Sequence, residues 1–285
     1  YEGQWVNNMK NGCGTLYDNE SQICYIGNFI NDKKHGMGTE KQNNYILYEG
    51  EYVNNNKEGY GTLYYNESLC IYYCGYFKNN KKNGNGKLYY KNGNVKINGN
   101  WEDDKLVNGT EFWINQNYKY QGNFKDDKYF GNSTIYYEKG SIYYNGHLLE
   151  GYKHGTGILY DNDSNIIYDG EWNNNFKSGY GVLYNNNKLI YEGGFKNDLK
   201  CGKGQLTLNN SYYKGSFSND LKDGYGTLFI NNNIHYIGMF SMDNKNGEGK
   251  LYKNNKLIYE GHFYNNSKEG HGILYYDDTN LILYN

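Results

Sequence analysis

The sequence predicts an all-β fold, an elongated, single-layer antiparallel β-meander made of stacked hairpins. Three observations support this prediction: a unit of 22 to 25 residues that recurs through the chain, period-2 alternation inside each unit, and no stretch with helical spacing. Because one hairpin cannot bury its own apolar face, each unit must be stabilised by its neighbours. We therefore expect a solenoid-like rod.

The repeated unit is clearest at residues 168–183. It begins with an aromatic-x-Gly-x-aromatic segment at 168–172, continues with a polar stretch, and ends with Gly-x-Gly-x-Leu at 179–183. Because no linker separates the units, we predict one continuous array over residues 1–285. Its twelve units begin at Tyr1, Tyr25, Tyr48, Tyr73, Ile97, Tyr120, Tyr144, Tyr168, Tyr191, Tyr213, Tyr236 and Tyr259.

Each unit divides into two strands. In the first strand Tyr168, Gly170 and Trp172 share one face by alternation. The polar stretch Asn173–Ser178 is rich in Asn and Lys and is typical of a hairpin loop. A second polar tract, Asn185–Lys188, returns the chain to the next unit. Glycine at mid-strand requires a packing reason, so we expect large rings to lie across the glycines.

The Y-x-G-x-W/F segment followed by G-x-G-x-L resembles the MORN (membrane occupation and recognition nexus) repeat, and this resemblance covers the whole chain. It implies extended rods of single-layer hairpins and scaffolding roles at membranes, cell-division structures and the cytoskeleton, especially in protists. The repeat also occurs as an accessory region of some phosphoinositide kinases, SET-domain lysine methyltransferases and junctophilins. Since this chain begins and ends inside its own pattern, we expect a fragment of a longer protist protein.

The units near residues 97–155 depart from the pattern. We expect either a local bend or change of twist there, or neutral variation that a solenoid tolerates. The departures are Ile97 as the opening residue, an extra residue before Gly109, Glu111 and Ser133 in the place of the second glycine, Leu148 in place of an aromatic residue, and an added Gly151.

Composition excludes several classes of function. The net charge of −2, the pI of about 6.3 and the lack of Arg argue against a nucleic-acid partner. Five scattered cysteines predict reduced thiols and an intracellular, cytoplasmic setting. Cys70 and Cys74 lack a second pair or a nearby His for a zinc site. Since no catalytic constellation stands out either, we expect no metal, no cofactor and no enzyme.

A lysine precedes the first glycine of most Gly-x-Gly segments by two residues. Stacked loops would align these lysines as a ladder about 10 Å apart, which predicts a local site for anionic lipid or another polyanion. The alternative is that they keep a loop edge soluble, with nearby acidic residues diluting the charge. The ladder consists of Lys10, Lys34, Lys57, Lys82, Lys153, Lys177, Lys200, Lys222, Lys245 and Lys268.

Some tyrosines fall between the paired glycines rather than beside them. Tyr60, Tyr180 and Tyr225 are in this position, and we predict that they are exposed and face a protein partner. The function we predict is therefore a non-catalytic interaction scaffold that binds protein partners along the rod, at the cell-cortex membrane or the cytoskeleton. An open strand at a terminal hairpin offers a route to a homodimer.

Two alternatives to this function stay open. One is a membrane-apposed module that uses the lysine ladder on anionic lipid. The other is a regulatory or targeting region of a larger enzyme, such as a phosphoinositide kinase or a lysine methyltransferase.

Overall fold

A computed structural model describes residues 1–18 and 22–275, and the backbone of residues 282–284. These residues form 25 β-strands and no helix, which confirms the predicted all-β antiparallel meander. Accordingly, this part of the chain contains no helix long and apolar enough to cross a membrane. The chain divides into two units, Tyr1–Ile142 and Tyr143–Asn285.

In the first unit each strand pairs antiparallel with the next one along the chain. The strands are β1 (Glu2–Val6), β2 (Met9–Asp18), β3 (Ile23–Ile30), β4 (Lys33–Gln42), β5 (Tyr45–Val53), β6 (Asn56–Tyr64), β7 (Ile71–Lys78), β8 (Lys81–Tyr89), β9 (Val95–Glu102), β10 (Lys105–Phe112), β11 (Tyr118–Lys125) and β12 (Lys128–Tyr136).

The second unit follows the same meander. Its strands are β13 (Ile142–Leu149), β14 (Tyr152–Tyr160), β15 (Ile166–Asn173), β16 (Phe176–Asn185), β17 (Lys188–Lys196), β18 (Leu199–Leu208), β19 (Ser211–Ser218), β20 (Leu221–Ile230), β21 (Asn233–Ser241), β22 (Asn244–Lys253), β23 (Lys256–Tyr264), β24 (Ser267–Tyr275) and β25 (Ile282–Tyr284). The first residue of β13, Ile142, is the last residue of the first unit.

The hairpin turns are shorter than the sequence suggests. Between β15 and β16 only Asn174 and Asn175 turn the chain, with φ of 48° and 71°. Two consecutive residues at positive φ match the twist of a hairpin, and Asn and Asp tolerate this conformation well. The prediction of a loop over Asn173–Ser178 is therefore wrong in its bounds, and Lys177 lies inside a strand.

The two glycines of Gly-x-Gly are needed for different reasons. Gly179 has a φ of 61°, a region that favours glycine. Gly181 faces Gly170 across the hairpin, and the ring of Tyr168 lies over both. A Cβ atom on Gly181 would overlap the Tyr168 hydroxyl. That hydroxyl donates a hydrogen bond to the carbonyl oxygen of Glu171 at 3.0 Å, which fixes the ring across the strands.

Most opening tyrosines pack edge-on against two other rings. Tyr168 meets Trp172 of its own hairpin at 5.0 Å between ring centroids and Phe195 of the next at 5.2 Å, with interplanar angles of 84° and 89°. We call the side that carries these rings the aromatic face and the other the opposite face. Edge-to-face ring pairs stabilise the fold by more than the burial of their apolar area alone. The opening tyrosines from Tyr25 to Tyr236 are 0–1% exposed, so this row is the core.

The fifth repeat departs from this arrangement, though not as the sequence suggests. Gly109 pairs with Gly99 and Glu111 pairs with Ile97, so Gly109 is the second glycine and Glu111 stands in the leucine position. The prediction that Glu111 replaces the second glycine is therefore wrong, and so is the extra residue before Gly109: the second strand is one residue shorter before its paired glycine than in a regular repeat, and the register shift between 106 and 108 accommodates the difference. Leu106 lies against Gly99 and fills the volume that a tyrosine ring occupies elsewhere.

The sixth repeat places Ser133 where the second glycine is expected. Ser133 is 6% exposed, and its hydroxyl lies 2.7 Å from that of Tyr120. Tyr129 stacks on Tyr120 with a centroid distance of 3.8 Å and an angle of 5°. Its hydroxyl donates to Glu111 at 2.6 Å, and Lys119 ion-pairs with the same carboxylate at 2.8 Å. The irregular repeats therefore keep a filled aromatic face by different contacts.

Candidate partner-binding site

The ten predicted lysines all point to the aromatic face. Lys177 pairs with Trp172 across its hairpin, and its ammonium lies 5.8 Å from the centre of the Tyr168 ring. In every one of the ten units the ammonium lies within 5.9 Å of the tyrosine ring that opens that unit. A cation at this distance is attracted by the electron-rich face of the ring.

The backbone of each lysine also joins one hairpin to the next. The amide of Lys177 donates to Asp198 Oδ1 at 2.8 Å, and the amide of Asp198 donates to the carbonyl oxygen of Lys177 at 3.0 Å. Nine such reciprocal pairs occur in the part of the chain that the structure describes. This explains why the second turn residue is so often Asn or Asp.

Where that turn residue is Asp, the ammonium usually adds an ion pair. Lys200 and Asp220 are 2.9 Å apart, and Lys222 and Asp243 are 3.4 Å apart. Both lysine side chains are only 20% exposed. Burial lowers the pKa of Lys245 below its ordinary value. Within each unit the ladder lysines lie on the aromatic face, but each ammonium already has a partner within the chain, and the use of these lysines for lipid stays a prediction.

In the second repeat a glutamate inside a strand, rather than an Asp in the turn, forms the ion pair with the ladder lysines. Glu40 occupies the leucine position and ion-pairs with Lys34 at 2.6 Å and Lys57 at 3.2 Å. Burial alone would raise the pKa of Glu40, but the hydrogen bond from Lys34 and the charge of Lys57 outweigh it and hold this pKa below its ordinary value. Two ladder lysines that face an Asn turn are thus neutralised by one half-buried acid.

Tyr60 lies on the opposite face of the first unit, within a cluster of its own neighbours. It is 48% exposed, its hydroxyl lies 2.9 Å from Cys74 Sγ, and its ring meets Tyr76 edge-on at 5.4 Å. The hydrogen bond with Cys74, followed by desolvation, raises the pKa of Tyr60 to about 12. Tyr60 is exposed as predicted, but much of its surface is already in contact.

Tyr180 and Tyr225 lie in a different setting, on the opposite face of the second unit. They are 55% and 56% exposed and line a single groove of about 440 Å³. Their strands, β16 and β20, are four strand spacings apart, which corresponds to about 19 Å. The lining is completed by Glu192, Gly193, Lys203, Gly204, Gln205, Lys214, Gly215, Gly226 and Thr227.

Two small residues explain this groove. The residue before the second aromatic of a unit is Glu171 in the eighth repeat and Met239 in the eleventh, but Gly194 and Ser216 in the ninth and tenth. Gly194 pairs with Tyr180, so no side chain there fills the space beside the ring. In the sequence this groove is marked by a small residue at the same position of two adjacent repeats. Comparing each repeat with the consensus by itself does not reveal it.

The floor of the groove is charged. Lys203 donates from Nζ to the hydroxyl of Ser216 at 3.0 Å. Neither Lys203 nor Lys214 makes an ion pair with any residue in 1–18 or 22–275, and both are exposed. Glu192 is the acidic residue among those lining the groove. The groove thus combines two tyrosine walls with two ammonium groups that have no counter-ion in the described chain.

The other candidate chemistry is sparse. All five cysteines are free thiols. Across residues 1–18 and 22–275, no three His, Cys, Asp or Glu side chains come together as a metal site. The groove is therefore the feature that most resembles a binding site.

Comparison with known proteins agrees with the repeat geometry. The family model for the MORN repeat leaves out residues 97–119, where the ring-over-glycine arrangement is replaced. Among curated proteins none matches the chain closely enough to count as a relative. The model matches residues 1–21, 25–45, 48–68, 73–95, 120–142, 144–166, 168–188, 191–211, 213–234, 236–257 and 259–280. The chain therefore belongs to the MORN repeat family.

Proposed function

We propose that this chain is a non-catalytic interaction scaffold that binds a segment of a protein partner in the groove between Tyr180 and Tyr225. The observation that carries this proposal is the groove itself, about 440 Å³ with both tyrosines more than half exposed. Tyrosine supplies a large contact area with few rotatable bonds, which is why it is favoured at binding surfaces. Neither ring is needed for the core, which lies on the aromatic face.

The setting of this scaffold is proposed from its family, whose repeats are known in membrane-associated and protein-interaction contexts. We place it inside the cell, at the cortical membrane or the cytoskeleton, where a partner rather than lipid is bound. The ladder lysines favour this over direct lipid binding, because pulling an ammonium such as Lys200 to a membrane would break its ion pair with Asp220. A regulatory region of a larger enzyme could use the same groove.

Selection from a random peptide library tests the proposal. The intact chain should enrich peptides whose affinity falls at least tenfold in the Tyr180→Ala/Tyr225→Ala variant. A matched control, Tyr17→Ala/Tyr152→Ala, removes two tyrosines of similar exposure, 52% and 51%, outside the groove and should change affinity less than twofold. Enrichment that is equal in both variants, or no enrichment at all, would overturn the proposal.

A vesicle experiment separates the lipid alternative. Vesicles with and without phosphatidylserine are sedimented with the intact chain and with the Tyr180→Ala/Tyr225→Ala variant. The proposal expects no retention that depends on the anionic lipid. Retention that depends on phosphatidylserine and is equal for both proteins would instead support the membrane-apposed module.

A further inference from the structure

We infer that the groove selects an acidic peptide, an extended segment of about six residues with carboxylates at its centre and an apolar side chain at each end. This inference rests on the proposed function and deepens it by stating the chemistry of the partner. It is carried by the arrangement of Lys203, Lys214, Tyr180 and Tyr225 around one groove.

Elsewhere on the opposite face a lysine is neutralised by an acidic residue of the neighbouring strand. In the second unit Lys250 pairs across the strands with Glu260, and their side chains form an ion pair of 2.9 Å. Lys214 occupies the corresponding row, but its cross-strand neighbours are Gln205 and Thr227, which carry no charge. The ammonium of Lys214 therefore has no carboxylate opposite it, whereas the ammonium of Lys250 in the same row does.

Lys203 is not directly paired with an acid either. Its cross-strand partner is Ser216, whose hydroxyl accepts a hydrogen bond but carries no charge. Lys214 lies two residues before Ser216 on β19, so Lys203 and Lys214 are diagonal neighbours. Such neighbours are about 7–8 Å apart, close enough for a carboxylate placed between them to contact both flexible side chains.

Glu192 offsets only part of this positive charge. It is a diagonal neighbour of Lys203, but the two form no ion pair in residues 1–18 and 22–275, and the lining carries one acid against two lysines. Glu192 pairs with Gln205, which in turn pairs with Lys214, so two strand spacings or about 10 Å separate the acid from that lysine. The Debye length at physiological salt is about 8 Å, and interactions between exposed charges beyond it are largely screened. The amide of Gln205 between them offers both a donor and an acceptor to a peptide backbone.

The walls define the rest of the ligand. The two tyrosines stand about 19 Å apart across the strands, which an extended segment of about six residues spans at 3.3 Å per residue. Each exposed ring offers an apolar face to one end of the segment, while the lysines lie between the rings. Carboxylates in the middle and apolar side chains at the ends therefore match the groove.

Binding of three matched peptides tests the inference. Each has the same apolar ends, and the central residues are Asp and Glu, Asn and Gln, or Lys; fluorescence anisotropy is recorded with the whole chain. At low salt the acidic peptide should bind at least tenfold more tightly than the amide peptide. Raising the salt concentration should reduce that advantage, because exposed charges are screened.

Charge reversal supplies the decisive variants. Lys203→Glu/Lys214→Glu should abolish the preference for the acidic peptide and favour the basic one. The control Lys87→Glu/Lys196→Glu carries the same change in net charge on two exposed lysines outside the groove, and should leave the preference intact. Circular dichroism should be unchanged in both variants, since none of the four side chains is buried.

The outcomes separate the two proposals. Library peptides that depend on the groove tyrosines but show no acidic preference would overturn this inference and leave the proposed function standing. A preference that survives Lys203→Glu/Lys214→Glu would overturn it as well. The absence of any tyrosine-dependent peptide would remove the proposed function and this inference together. Vesicles containing phosphatidylserine that compete for the groove would identify a lipid ligand and overturn the inference.

Discussion

The lysines of the two faces differ in what they contact. On the aromatic face Lys177 reaches a tyrosine ring, bonds through its backbone to the next turn and approaches Asp198 at 3.6 Å. On the opposite face Lys203 contacts one hydroxyl, and Lys214 has only neutral cross-strand neighbours. The comparison teaches that the lysines that recur in every regular repeat hold the structure together, whereas Lys203 and Lys214, which lie outside that pattern and have no ion pair in the described chain, remain available for a ligand.

The tyrosines show the same division. Tyr168 is 0% exposed and packs on glycine, whereas Tyr180, twelve residues later, is 55% exposed on the other face. In this chain the regular positions build the sheet and the irregular ones shape its surface. Four predictions test how sharp that division is, from the largest expected effect to the smallest.

The largest effect is expected from alkaline pH. Desolvation by burial raises the pKa of Tyr25, Tyr213 and Tyr236 to about 12, from an unfolded value near 10. Their contribution to stability is complete below pH 10, declines as unfolded tyrosines ionise above it, and is lost through pH 12. We expect tyrosinate absorbance to rise cooperatively with loss of circular dichroism in this window. A sheet that persists unchanged at pH 12 would contradict this.

The second prediction compares tyrosines from the two faces. Tyr168→Ala should lower the free energy of unfolding by about 3–5 kcal/mol, the usual cost of removing a large buried ring. Tyr180→Ala should change it by no more than about 0.5 kcal/mol, as expected for an exposed site. Urea unfolding of the whole chain measures both. Similar losses for the two variants would show that the opposite face is also part of the core.

The third prediction separates the backbone contact from the ion pair. Asp198→Ala removes the acceptor of the Lys177 amide and should cost about 1–2 kcal/mol, because that donor is left without its partner. Asp198→Asn keeps an oxygen acceptor and removes only the charge, which should cost less than about 1 kcal/mol. Thermal unfolding of both variants provides the measurement. Equal losses would mean that charge, and not the hydrogen bond, joins the hairpins.

The smallest effect concerns the lysines themselves. Lys177→Met should destabilise by about 1 kcal/mol, since it removes a cation from the Tyr168 ring and from Asp198. Lys203→Met replaces an exposed lysine without an ionic partner in the described chain and should leave the unfolding midpoint unchanged. A midpoint shift for Lys203→Met as large as that for Lys177→Met would erase the difference between the faces.

Much of the fold could be predicted because the sequence states it twelve times. Period-2 alternation identified the strands, and the spacing of ring and glycine identified the core. The turn length could not be read in the same way, because Asn and Lys suit both a loop and a strand end; only the backbone shows that Asn174 and Asn175 make the whole turn. The register error at Glu111 arose because the fifth repeat has a single glycine in its second strand, and sequence alone does not show whether a residue has been added before the first glycine or lost before the second.

The site was harder to predict than the fold. Lys177 and Asp198 are 21 residues apart, and their contact depends on how successive hairpins pair. Sequence spacing identified the lysines as a row but gave no indication that each was already paired. Tyr180 and Tyr225 were predicted to be exposed, but their shared groove depends on the missing bulk at Gly194 and Ser216, two residues that carry no chemical signal of their own.

One paired measurement tests the central claim that recurring lysines support the sheet and groove lysines bind. Lys203→Glu/Lys214→Glu and Lys177→Glu/Lys222→Glu are compared for unfolding midpoint and for binding of the acidic peptide. The account predicts that the first variant loses binding and keeps its midpoint, while the second loses stability and still binds at a temperature where it is folded. A lowered unfolding midpoint in Lys203→Glu/Lys214→Glu would contradict the account. So would a loss of binding in folded Lys177→Glu/Lys222→Glu while Lys203→Glu/Lys214→Glu still binds.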